Sequence, residues 1–111
     1  MFLQLKSFKV TEGHADKMVE RFAGRGVIEE QPGFIDLSVF KKKQRRGDEE
    51  VIVLVRWESE ENWKAWETSE IHLQGHRENQ GKPGPAYILE GNQQVYNMLG
   101  QKTYKDPQEI G

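Results

Sequence analysis

Residues 49–57, EEVIVLVRW, constrain the fold of this chain more than any other stretch. Val51, Val53 and Val55 alternate with Ile52 and Leu54, so a strand here is apolar on both faces. Such a strand needs cover on each side of its sheet. The rest of the chain offers helices for one side only. Residues 2–10 read as a strand with Phe2, Gln4, Lys6, Phe8 and Val10 on one face and Leu3, Leu5, Ser7 and Lys9 on the other. A helix follows, with Ala15, Met18, Val19 and Phe22 at i, i+3, i+4 and i+7. Thr11 is its expected N-cap, Glu12 suits its first turn, and Gly24 and Gly26 can stop it.

Pro32-Gly33 marks a turn into a second strand, 34–41, with Ile35, Leu37 and Val39 on one face. Residues 41–50 form a polar hairpin end with Gly47 at the tip. Asp48, Glu49 and Glu50 offset its basic run, which reads as solvated. After the third strand, Ser59 caps a helix carrying Trp63 and Trp66, and Thr68-Ser69 predicts a break into a further short helix. Residues 81–85, GKPGP, are a loop. A last strand is expected over 86–99, bulged near Gly91. This order defines an α+β protomer, a ferredoxin-like βαββαβ unit with helices on one face of an antiparallel sheet. One domain is expected over 1–100, with a polar tail over 101–111. Leu3 and Leu5 face away from the helices, and a second copy of the chain is the simplest cover for that face. The expectation is a homodimer, a dimeric α+β barrel.

Composition narrows the chemistry. The 111 residues include no cysteine, which excludes disulfides, thiolate metal sites and cysteine nucleophiles. A net charge of −2 argues against a nucleic-acid partner. No apolar run approaches the roughly 20 residues that span a bilayer, and MFLQLKSFKV does not have the pattern of a signal peptide. A soluble cytoplasmic protein with no membrane partner is therefore expected.

The segment from Trp57 to His76 holds all three tryptophans and two of the three histidines. Trp63 and Trp66 can fill a core. Alternatively, a flat indole ahead of an imidazole can form the wall and ligand of a planar metal-bearing molecule, haem above all. His72 and His76 are four apart and share a helix face. They could hold a metal ion if Glu67, Glu70 or Glu78 added a third ligand, although no recognised zinc pattern is present. Lys6 lies mid-strand on the face the helices should cover. It must either snorkel to the sheet edge or point into a cavity. No Ser/His/Asp set, Walker sequence or dinucleotide glycine pattern is visible.

An N-terminal strand, Glu20-Arg21-Phe22 in the first helix, Gly33-Phe34, Asp48-Glu49-Glu50-Val51, the Trp57-to-Trp66 spacing and Ser69-Glu70 followed by His76 together form a pattern. Over about residues 2–99 it resembles the IsdG-type haem-degrading monooxygenases of the antibiotic-biosynthesis monooxygenase superfamily. The resemblance implies that haem is both substrate and cofactor. Its iron would activate O2, with electrons from an external reductase or small-molecule reductant. It makes His76 the proximal ligand of the haem metal and sets Trp66 against the porphyrin face. Phe22 and Arg77 become further haem contacts, with Lys82 a second candidate for the propionates. The family's Asn on the first strand falls at Lys6, so a longer, charged donor stands where the amide would be. Two other readings stay open: a cofactor-independent monooxygenase of an aromatic substrate, and a haem-binding or sensing dimer without turnover.

Overall fold

A computed structural model describes residues 1–79 and 84–108. The elements run β1 (Phe2–Val10), α1 (Ala15–Ala23), β2 (Phe34–Lys41), β3 (Glu49–Trp57), α2 (Glu60–Glu67), α3 (Glu70–Asn79) and β4 (Ile88–Asn97), with a single 3-10 turn at Ile28–Glu30. The four strands form one sheet in the order β2-β3-β1-β4, every neighbouring pair antiparallel. This is the ferredoxin-like arrangement that the strand and helix order predicts.

Alternation determines the layers. Phe2, Val10, Val51, Val53, Val55 and Trp57 face the helices and are buried, with Ala15 and Met18 of α1 packed against them. Gln4 lies on the same face and is also buried. Trp57 belongs to this core and meets Phe34 edge-on, ring centroids 5.6 Å apart. On the opposite face Leu3, Leu5, Ile52 and Leu54 are only half-buried, and Phe40 and Tyr96 are 51% and 47% exposed. Arg56 and Asp36 pair across that face, with Arg56 Nε donating to Asp36 Oδ1 at 2.8 Å.

The structure corrects three details. The residue at the start of α1 is His14, not Thr11, and it makes no side-chain cap. Glu49 of β3 does this work instead: its Oε1 accepts from Gly13 N at 3.1 Å and Ala15 N at 3.0 Å. A register shift between Phe34 and Asp36 puts Phe34 opposite Trp57, so Phe34, not Ile35, joins Leu37 and Val39 against the core. Finally, β4 spans Ile88–Asn97, shorter at both ends than expected, while its irregularity falls between the Lys9–Glu90 and Val10–Ile88 pairs, near Gly91 as expected. Gly91 packs on Phe8, whose ring a Cβ would meet at 3.3 Å.

The turn into β2 needs its glycine. Gly33 has φ of 82°, and a Cβ there would collide with the Asn62 side chain. That contact sets the start of α2 against the turn, where Ser59 caps the helix by accepting from Asn62 N at 3.2 Å. Among the described residues no helix is long and apolar enough to cross a membrane.

Candidate active site

The helix that begins at Ser59 ends at Glu67 for a local reason. Thr68 Oγ1 donates back to Lys64 O at 2.8 Å, and Ser69 Oγ accepts from His72 N at 3.3 Å, restarting the chain as α3. This corner brings Trp66 and Glu67 from one helix beside His72 from the next. The Trp66 and His72 rings lie with centroids 4.7 Å apart. Opposite them stand the C-terminal end of α1 and the centre of the sheet. A cavity of about 220 Å³ lies between, floored by Gln4, Lys6, Val53 and Val55 and walled by Arg21, Phe22, Arg25, Trp66, Glu67 and His72.

Lys6 is half-buried, beside Val53 on one strand and Gln93 on the other. Its Nζ lies 5.3 Å from the centre of the Phe22 ring, within cation–π range. Burial pushes its pKa below the ordinary lysine value, with Glu67 opposing and Arg21 reinforcing the shift. Lys6 and Phe22 also line a second space of about 360 Å³ towards β4. They form the partition between the two.

The imidazoles form a chain. His72 Nε2 lies 3.0 Å from Glu67 Oε2, and His76 Nε2 lies 3.0 Å from His72 Nε2. Glu67 is held from the sheet by Gln4, whose Nε2 donates to Oε1 at 3.3 Å. Burial pushes the His72 pKa down, Glu67 opposes this and His76 adds to it. Among the described residues no group of three or more His, Cys, Asp or Glu side chains is placed to hold a metal ion. The two-histidine metal-ion reading therefore finds no third ligand there.

The cavity gathers Lys6, Phe22 and Trp66. His76 does not line it. It is exposed, in an outer groove of about 270 Å³ shared with Val27, Trp66, Ile71 and His72. His72 and Trp66 border both spaces. Arg77 is exposed, donates to Glu70 Oε1 at 3.0 Å and does not line the cavity. Lys82 lies outside the described residues. Reading the sequence missed Arg21 and Arg25 as cavity residues. It also missed Gln4, whose signal was a polar residue on the helix-covered face of β1. A larger open space of about 670 Å³ lies towards the β2–β3 hairpin, lined mainly by charged and amide residues such as Lys9, Lys42, Glu50 and Asn92. It holds neither indole nor imidazole.

The fold and this cavity belong to a recognisable class. The chain is a member of the antibiotic biosynthesis monooxygenase family, whose sequence profile matches residues 1–78. It is 50% identical over 106 residues to the heme-degrading monooxygenase HmoA of Bacillus subtilis, covering 94% of this chain and 98% of that relative. A Bacillus cereus structure assigned to the antibiotic biosynthesis monooxygenases superposes with a TM-score of 0.82 at 51% identity, over 95% of this chain and 97% of that one. The heme-degrader MhuD of Mycobacterium tuberculosis, solved with two hemes in its active site, superposes with a TM-score of 0.64 at 19% identity, over 93% and 100% of the two chains. At that identity the likeness is one of fold.

Proposed function

We propose that this chain is a haem-degrading monooxygenase that opens the porphyrin ring oxidatively and releases its iron. The observation that carries this reading is the convergence of Trp66, Lys6 and His72 on one cavity, with His76 in the adjoining groove. Half-identity over nearly the full length to a heme-degrading relative supports the same substrate class. Haem is the substrate, and when bound it also supplies the iron that activates O2. Electrons come from an external reductase or small-molecule reductant.

The chain's own residues have separable tasks. His76 would ligate the haem iron, and Trp66 would lie against the macrocycle. Lys6 offers an ammonium donor from the sheet. Arg21 and Arg25 answer the propionates better than Arg77, which Glu70 already engages. The cavity is smaller than the roughly 300–1,000 Å³ of ligand pockets, so haem entry moves α3 outward. Among the described residues none of the fully buried core side chains belongs to α3, which makes that movement inexpensive. The half-buried apolar face of the sheet supports a homodimer.

Titration of haemin into the protein, followed by ascorbate under air, tests the reading. A histidine-ligated ferric spectrum should form, then its Soret band should decay. His76→Ala should abolish the ligated spectrum. If His72→Ala abolishes it and His76→Ala does not, the ligand is His72. Absence of any Soret shift with wild type refutes the function.

A further inference from the structure

We propose that Lys6 is a carbonyl-trapping amine, forming a Schiff base with a small aldehyde or 2-oxo acid whose carboxylate rests on Arg21 and Arg25. The inference stands apart from the haem reading, because it needs only the ligand-free cavity. Position sets Lys6 apart first. Every other described lysine is exposed, while Lys6 is half-buried in the middle of β1. Lys17, Lys41, Lys42 and Lys64 also pair with Glu20, Glu49, Glu50 and Glu60. Among the described residues the Lys6 ammonium makes neither a hydrogen bond nor an ion pair, and its contact is the face of the Phe22 ring.

A second cation shares that ring: Arg21 Cζ lies 5.7 Å from its centre. Leu37, Val53, Val55 and Trp66 line the same cavity as Lys6. Desolvation and a neighbouring cation are the two conditions that turn a lysine into a neutral, nucleophilic amine. The ionisable groups around the cavity are Arg21, Arg25 and Glu29 on the α1 side and Glu67 and His72 on the other. Burial and Arg21 push the Lys6 pKa down, and Glu67 opposes them. The step balances by itself. The amine lone pair adds to the carbonyl carbon and a C–N bond forms. The carbonyl oxygen takes up the two nitrogen protons and leaves as water, and a C=N bond remains. Neither oxidant nor reductant is consumed. The class of partner follows from size and charge. A cavity of about 220 Å³ admits a small molecule, and two guanidiniums beside an amine select a carboxylate next to the carbonyl.

Glyoxylate with cyanoborohydride, near neutral pH on haem-free protein, tests this. The reductant fixes an imine as a carboxymethyl group, and peptide mass spectrometry locates it. Lys6 should be modified about tenfold faster than exposed Lys43 and Lys105 in the same sample. Propanal, which has no carboxylate, should show a much smaller preference for Lys6. Arg25→Gln, at an exposed position, should lower glyoxylate labelling of Lys6 several-fold and leave propanal labelling unchanged, which also reports an intact fold. Lys6 labelled no faster than Lys43 overturns the proposal. An equal preference with both aldehydes, or glyoxylate labelling that Arg25→Gln leaves unchanged, overturns the carboxylate anchor. Failure of the haem reading shows separately, as a chain that binds no haemin yet traps glyoxylate at Lys6.

Discussion

Lys6 is the residue at which the proposed chemistry is most directly tested. Alternation along β1 placed it on the helix-covered face, and there it lies against Phe22 and the cavity. Lys6→Met keeps most of the volume and removes the donor. One lost charge-assisted hydrogen bond is worth about 1.5–3 kcal/mol, a tenfold to hundredfold slower ascorbate-driven loss of the Soret band if the bond acts only in the transition state. Haemin affinity should stay within a few fold. Stability carries a second sign. Because burial lowers the Lys6 pKa from 10.5, the folded chain binds that proton less tightly than the unfolded one. The charged side chain therefore costs stability at neutral pH, and the cost fades as pH rises towards 10.5. Lys6→Met should raise the thermal midpoint at pH 7 and lose that advantage in alkali. Trp66 is tested by shape: Trp66→Phe should keep haem binding and much of the turnover, and Trp66→Ala should bind haem but degrade it several-fold more slowly. Much of this site was legible in residue spacing, since Trp66 and the strand faces follow from period and alternation. The facing of His72 and His76 was not. A spacing of four puts both on one side of a helix, but the rotation of α3 about the Ser69 corner decides which one reaches the cavity. Gln4 and Glu67, 63 positions apart, meet only in the folded chain.

At the level of elements, the start of α1 shows a part of the fold that local sequence could not reveal. Thr11 has the chemistry of a cap, yet its Oγ1 is paired with His14 Nδ1 at 2.8 Å. The open N–H groups at the helix start go to Glu49, which comes from the other end of a hairpin and also meets Lys41 at 3.5 Å. These bonds hold the Glu49 carboxyl below its ordinary value, the one from Ala15 N contributing most. A depressed acid stabilises the fold above its unfolded pKa and loses that contribution as pH falls through the folded value. Glu49→Ala should lower the thermal midpoint by a few degrees at pH 7. The gap between variant and wild type should close as the pH drops below 4.5, the unfolded reference. A gap that stays constant down to pH 3 would show that the carboxylate is not the cap.

The whole molecule has one covered sheet face and one open one. Antiparallel pairing and the β2 and β3 boundaries could be read from element order and apolar periodicity, because burial of one face constrains the pairing. The open face has Leu3, Leu5, Ile52 and Leu54 half-buried beside exposed Phe40 and Tyr96, and contiguous exposed apolar surface marks an interaction site. Sedimentation at micromolar concentration should give about twice 12.9 kDa, and Leu5→Asp should shift it towards the single mass. A wild-type monomer would remove this argument. The tryptophans add an optical property. Trp57 and Trp63 bury indole N–H groups that meet no acceptor among the described residues, and Trp66 packs on the same core and lines the cavity. Indoles in so apolar a setting emit at short wavelength, in the near-ultraviolet where porphyrins absorb. A porphyrin against Trp66 should darken all three emitters together, so the ligand-free chain should fluoresce blue and its intensity should recover as the ring is destroyed.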